Sequence, residues 1–360
     1  MINKMRKASR GNKERAKKCL GITVVLLLTL YSFTPIIGNE VAGRAGDFSA
    51  SKPSTIRWGL NAIKAKEAWQ VTRGSHEVVV AVIDSGIDKS LSDLRTHLWN
   101  NEDEVPDDGI DNDHNGYIDD VYGWDFREKD SLQGSSRSLY YHGTFVAGLI
   151  TSNYNKITGA GGVAPNVSIM DLRFLDSGGR FYTSDWQKLA RAIEYAVENG
   201  ADIINLSIYA SITPPNMVHK AIKRAESEGV FIVGIAGNNG ADVGYFGCWD
   251  EVFTVGSINK SGKVSDFSNH GRVVELVAPG SRVLSLLPNG KVATYSGTSF
   301  SAPHVAGSAA LILSENPGMR LSELKNRLRT SARDIGSPGR DEYSGFGVID
   351  TRAALDSVPS

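Results

Sequence analysis

The sequence predicts an α/β fold, a three-layer sandwich with a mostly parallel central sheet flanked by helices. Three observations carry this reading. Residues 78–83 (VVVAVI) form an unbroken apolar, mostly β-branched run, and residues 229–236 (GVFIVGIA) form a second. Runs without polar alternation read as strands buried on both faces, the kind found in parallel sheets. Amphipathic helical patterns lie between and after them, and that alternation argues for a sheet covered on both sides.

The elements follow in chain order. Lys4, Arg6, Lys7, Arg10, Lys13, Arg15, Lys17 and Lys18 make residues 1–18 a basic leader. An apolar segment follows at residues 19–37. It reads as a signal peptide or a single membrane anchor through residues 20–37; either way the basic flank stays cytoplasmic and the rest is exported. Thr29, Ser32 and Pro35 weaken it as a stable span, which favours cleavage and secretion over an anchored form. Residues 38–55 read as a short linker, below the length at which a segment folds alone. The remainder, residues 56–357, suffices for one large α/β domain, with an acidic insertion at 101–125.

Asp84 closes the first buried run. His142 opens an apolar helical stretch that continues through Ile150. Ser184 with Gln187 three residues on has the capping-box pattern. Trp186, Leu189, Ile193 and Val197 then form one apolar stripe, ended by Gly200. Residues 216–229 and 322–332 are further helices. Between them the second buried run leads into Gly237 and Asn238. Ser299 precedes a helix carrying Pro303 in its first turn, where a missing N–H does no harm.

Composition excludes some classes. Hydrophobic content of 41% is ordinary for a globular chain. The formal net charge of −1 gives no broad electrostatic case for nucleic acid. Cleavage or the membrane would separate Cys19 from Cys248, leaving Cys248 a thiol with no motif of its own. His76, His97, His114, His219 and His270 lack metal-ligand spacing and read as surface or loop residues; His304 reads as a local packing residue.

The chemistry lies in three short segments. Asp84, His142 and Ser299 supply an acid, a base and a hydroxyl in that order. Serine is a poor nucleophile until an imidazole takes its proton, and a buried carboxylate orients that imidazole. A strand's carboxyl end and helix starts share one edge of an open α/β sheet, where ligands bind. Asn238 follows another buried strand at that edge. It reads either as an amide donor for an oxyanion or as a turn residue beside glycine.

The stretches AVIDSGID, HGTFVAG, ADIINLS, GIAGNNG, FSNHGRVVELVAPG and SGTSFSAPHVAGSAALIL run in the order of the subtilisin-like serine proteases, and the chain resembles that family over about residues 56–355. The resemblance implies that Asp84 orients His142, His142 is general base and then acid, Ser299 is the nucleophile, and Asn238 with the Ser299 N–H forms an oxyanion hole. It implies an exported serine endopeptidase, expected to be a monomer, acting on a protein or peptide substrate. Ser207, Ile208, Tyr209 and Gly237 fall at substrate-binding positions. Tyr209 stands where the family has glycine; it either narrows the pocket or points away along a shifted strand. Phe145 stands where the family often has a second histidine, a change expected to alter packing and nothing more, and residues 38–55 are expected to be too short for a folded pro-domain. Tyr209 and the expected lack of a pro-domain leave an alternative, a catalytically impaired binding module with a restricted cleft. An esterase or lipase is disfavoured, because the Ser299 segment lacks the second glycine of a G-x-S-x-G elbow.

The acidic insertion reads DDGIDNDHNGYIDD over residues 107–120. Asp111, Asp113 and Asn115 alternate before Gly116, the opening of an EF-hand-type calcium loop. The twelfth position is Tyr122, so Asp119 or Asp120 is expected to close the site. Ca2+ is the expected structural cofactor; the other reading is a solvated acidic turn.

Overall fold

A computed structural model describes residues 58–132, 139–156 and 158–356. The basic leader, the apolar segment and the linker lie outside the described residues. Among the described residues no helix is long and apolar enough to cross a membrane.

After two short helical turns, Trp58–Ala62 and Ala65–Ala68, comes β1 (Val79–Asp84), every residue of which is buried. A short turn (Ser92–Arg95) and the insertion lead to β2 (Gly123–Asp125), β3 (Asp130–Ser131), helix α1 (Tyr141–Thr151) and β4 (Ser168–Arg173). Helix α2 (Trp186–Glu198), β5 (Ile203–Leu206), α3 (Asn216–Ser227) and β6 (Phe231–Ile235) follow. Then come β7 (Phe253–Ile258), β8 (Val274–Pro279), β9 (Val283–Leu286), β10 (Val292–Tyr295), α4 (Ala302–Glu315), α5 (Leu321–Thr330) and a last helical turn, Thr351–Asp356.

Eight strands form one sheet in the order β3-β2-β4-β1-β5-β6-β7-β8. All neighbours are parallel except β2 and β3. β9 and β10 form a separate antiparallel ribbon. The chain leaves β1 for β4 on one side and returns to β5 on the other. That makes the carboxyl end of β1 a topological switch point, where open α/β sheets form their crevice.

Strand alternation divides the core. Val80, Val82, Phe231, Val233 and Ile235 face a cluster with Val146, Ile150, Val305, Ala309 and Ile312 of α1 and α4. Ala81, Ile83, Ile204 and Ile232 are also buried and take the opposite face, where α2 and α3 pack on each other. The expected three layers are therefore present. Gly200 and Gly229 end α2 and α3 with φ of +73° and +89°, the left-handed conformation that a residue just past a helix adopts.

Two local expectations are corrected. A 3-10 turn, Thr183–Asp185, precedes α2. The carboxylate of Asp185 accepts the Tyr182 N–H at 2.8 Å, so Ser184 and Gln187 do not form the capping box. His97 is no surface residue: it is buried, its ring 5.8 Å from that of His76 and nearly parallel to it. Burial holds its pKa below the usual histidine value.

His304 is buried inside α4, and its Nδ1–H donates to the Phe300 carbonyl at 2.7 Å. Burial pushes its pKa down to about 4, against the smaller opposing effect of that bond. The unfolded chain, with a histidine pKa near about 6.5, then binds more protons than the folded one below that pH. The contribution is fully present above about pH 6.5 and is lost as pH falls toward 4. Urea midpoints between those limits should fall with a slope approaching one proton, about 1.4 kcal/mol per pH unit. His304→Asn should flatten the slope by about that amount, and an unchanged slope would refute the assignment.

Candidate active site

Asp84 ends the central strand, 1% exposed. A carboxylate removed from water needs donors, and two converge on it. Oδ1 accepts the Ser85 N–H at 2.7 Å. His142 Nδ1 lies 2.9 Å from Oδ1 and 2.8 Å from Oδ2. The imidazole is fully buried. A carboxylate on Nδ1 fixes that nitrogen as the protonated one and leaves Nε2 to accept a proton.

Ser85 ties this pair to the backbone. Its Oγ donates to the Tyr140 carbonyl at 2.9 Å and accepts the Gly143 N–H at 3.0 Å. It thereby takes up one of the helix-start donors of α1, whose N-cap residue makes no side-chain cap. Gly143 is required by contact: a Cβ there would lie 2.5 Å from the Gly86 carbonyl oxygen. The base-bearing helix and the loop after Asp84 thus meet backbone to backbone.

Ser299 sits in a 3-10 turn, Thr298–Phe300, directly before α4. Its Oγ lies 3.2 Å from the Ser207 carbonyl, while Ser207 Oγ donates to the Ser299 carbonyl at 2.9 Å. Asn205 Nδ2 donates to Ser207 Oγ at 2.9 Å. The segment after β5 is thereby locked to the Ser299 turn. On the far side of the serine, the Phe300 ring packs 5.4 Å from the His142 ring.

Asn238 follows β6 and has a divided role. Its Oδ1 accepts both the Thr298 N–H (2.7 Å) and the Thr298 hydroxyl (2.8 Å). That anchorage turns Nδ2 the other way, and Nδ2 is buried with no partner among the described residues. An unspent buried donor is costly, and this one belongs to a side chain anchored on Thr298, next to Ser299 in the chain. Gly237, with φ of +110°, leaves room for Asn269 Nδ2, which a Cβ would meet at 2.4 Å. Ser207 and Ile208 are buried; Tyr209 is half-buried and packs against the core cluster of α1 and α4.

In the insertion, Asp111 and Asp113 gather with Glu104, their carboxylate oxygens within 4.8 Å of one another. The other expected ligands, Asn115, Asp119 and Asp120, make hydrogen bonds of their own, as the three gathered carboxylates also do. Asn115 Oδ1 accepts the Tyr117 N–H at 2.8 Å. Asp119 accepts the Asp108 and Gly109 N–H groups, both at 3.1 Å. Asp120 is fully buried and takes the Tyr195 hydroxyl, Asn101 Nδ2 and Asn115 Nδ2; burial pushes its pKa up. Sequence reading missed Glu104, Ser85 and Thr298. The signal for the last two was a hydroxyl residue immediately beside Asp84 and Ser299. Glu104 lies seven residues before the motif and gave none.

The sequence profile of the Subtilase family matches residues 75–347. Subtilisin DY of Bacillus licheniformis is 32% identical over 305 residues, covering 83% of this chain and 98% of that protein. Subtilisin E of Bacillus subtilis is 34% identical over 305 residues, covering 83% of this chain and 71% of that protein. An intracellular serine protease of Paenibacillus polymyxa is 35% identical over 264 residues, covering 71% of this chain and 72% of that protein.

Gly143→Ala places a methyl against a backbone oxygen that has no side-chain freedom to yield. It should cost about 2 kcal/mol or more in a urea melt. A variant as stable as wild type would show that the two backbones can part without loss.

Proposed function

The chain belongs to the subtilase family and is a serine endopeptidase, and from that premise we propose that Asp84, His142 and Ser299 are its catalytic triad. Ser299 Oγ attacks the scissile carbonyl carbon as His142 Nε2 takes its proton. Asp84 holds the Nδ1–H and balances the imidazolium charge that forms. The tetrahedral oxyanion accepts from Asn238 Nδ2 and the Ser299 N–H. On collapse the C–N bond breaks, the leaving amine takes the proton from His142, and water later hydrolyses the acyl ester by the same route in reverse. Two observations support this reading: the buried Asp84–His142 pair, and the unspent Asn238 donor tied through Thr298 to the turn that carries Ser299. The donor also speaks against a module that binds without cleaving, which would have no use for it. Ser207, Tyr209 and Gly237 are proposed to border the substrate, with Ile208 contributing backbone only. The basic leader and apolar segment are proposed to export the enzyme, by cleavage or as an anchor.

Ser299→Ala should abolish peptide hydrolysis and phosphonate labelling while leaving the melt unchanged. Asn238→Asp keeps an acceptor for Thr298 and removes the donor. It should lower kcat by at least about a hundredfold, the low end of the loss known for the side-chain donor of subtilisin's oxyanion hole. Labelling at another residue of Ser299→Ala would overturn the triad.

We further propose that Glu104, Asp111 and Asp113 hold a structural Ca2+. The donors are all carboxylate oxygen, as suits a hard cation, and a cation between them would relieve the mutual repulsion of like charges this close. Bound to the folded form alone, the ion staples the insertion and takes no part in the reaction. EDTA should lower Tm and Ca2+ restore it, with about 2.7 kcal/mol at stake at a hundredfold excess over Kd. Glu104→Gln should shrink that shift, and an EDTA-insensitive Tm would remove the site.

A further inference from the structure

We infer that His76, His97 and Asp93 form a binding site for Zn2+ at the edge of the sheet opposite the triad. The two imidazoles come from segments far apart in the chain, and β4 brings them together. The His76 carbonyl accepts the Ser168 hydroxyl at 2.7 Å. The His97 carbonyl accepts the Ile169 N–H, also at 2.7 Å. Ser168 and Ile169 are the first two residues of β4, so consecutive residues of one strand hold both histidines by their backbones. The rings are left 5.8 Å apart and 13° from parallel. A ligand set fixed in advance by the scaffold loses little freedom when the ion arrives. Because β1 and β4 run parallel, the pair stands at their amino ends, roughly 15–20 Å from Asp84.

The observation that points to a ligand is the state of His97. Its side chain is 5% exposed, and neither ring nitrogen meets a hydrogen-bond partner at bonding geometry among the described residues. An imidazole buried in that condition is costly; coordination of an ion removes the cost at one nitrogen. Two imidazoles that share a zinc at about 2.0–2.1 Å per nitrogen set their ring centres roughly 5–6.5 Å apart, and the observed spacing falls in that range. His76 is exposed and gives the ion its entry path. Asp93 is half-buried, four residues before His97 and at its own helical turn, and its charge acts on the His97 ring. It supplies the third ligand, and water completes a tetrahedron. The Asn153 side chain also faces His97 and orients the second ring nitrogen, as outer partners of a ligating histidine do. Nitrogen donors select zinc over the calcium proposed for the all-oxygen cluster at Glu104. The bound ion ties the segment before β1 to the turn after it and takes no part in hydrolysis.

The test is a calorimetric titration of the full chain with ZnCl2, in excess Ca2+ so that the acidic cluster is filled, and with Ser299→Ala so that self-digestion does not intervene. One Zn2+ per chain should bind and Tm should rise with it. Loss of an outer partner costs about ten- to a hundredfold in metal affinity. His76→Ala removes a ligand outright and should weaken binding by at least about a hundredfold; the residue is exposed, so the fold should stay intact. Asp93→Asn should weaken it about ten- to a hundredfold. Glu104→Gln and Cys248→Ser should leave it unchanged. Cu2+ titrated in place of Zn2+ should show electron-spin splitting from two imidazole nitrogens, and from one in His76→Ala. Absence of stoichiometric Zn2+ uptake, or equal affinity in His76→Ala, overturns the inference. So does loss of binding in Glu104→Gln or Cys248→Ser, which would place the zinc on the acidic cluster or the thiol. None of these outcomes bears on the triad.

Discussion

One buried hydrogen-bonded pair organises the site: the Asp84 carboxylate and the His142 imidazole, almost wholly out of solvent at 2.8 Å. A carboxylate at the end of a fully buried strand is tolerable only with donors supplied by the rest of the fold. The imidazole is one, and the Ser85 N–H is the other. To supply the imidazole, the first turn of α1 must reach the carboxyl end of β1. That approach leaves no room for a side chain at Gly143 and requires a left-handed turn at Gly86, with φ of +89°. The glycines around the histidine are thus a consequence of where the acid was placed. Ser85 holds both ends of the arrangement, so orientation of the base does not depend on solvent.

The same economy joins the hydroxyl to its donor. Thr298 gives Asn238 two hydrogen bonds, and Thr298 directly precedes Ser299. The amide is thereby fixed from the nucleophile's own turn, and any displacement of the serine carries the donor with it. Electrostatic stabilisation depends on dipoles that need no reorganisation when charge appears. A side chain held by its oxygen and idle at its nitrogen is such a dipole. The Asn205, Ser207 and Ser299 bonds do the same from β5. Three strand ends, β1, β5 and β6, are therefore stitched to two helix starts at one edge of the sheet.

Much of this was legible in the sequence because it rests on short-range pattern. Val78 to Ile83 read as a strand buried on both faces, and an Asp at its end called for a partner. The glycine after His142 and the proline after Ser299 located two helix starts. Asn238 was ambiguous, since a turn asparagine and an oxyanion donor look alike until the Thr298 bonds show which end of the amide is committed. In the insertion, local spacing and tertiary burial give different information. Asp119 and Asp120 follow the acidic motif closely, and Asp120 is drawn inward by Tyr195, seventy-five residues on. Glu104 came from outside the motif. His97 failed for the same reason: nothing nearby in the sequence announces the His76 ring that covers it.

Phe145 takes on a meaning the sequence did not supply. From the sequence resemblance it stands as a departure from the family pattern, read as a packing change. In the fold it joins Phe300, Tyr141 and Tyr295 in an aromatic cluster, two members of which, Tyr141 and Phe300, pack on the His142 ring. A second imidazole there would add another titrating group beside His142; a phenyl ring adds none. The cluster also excludes water from that flank, and charge interactions strengthen as the local dielectric falls. Within that dry surrounding, the Asp84 carboxylate is held 2.8 Å from the imidazole it orients.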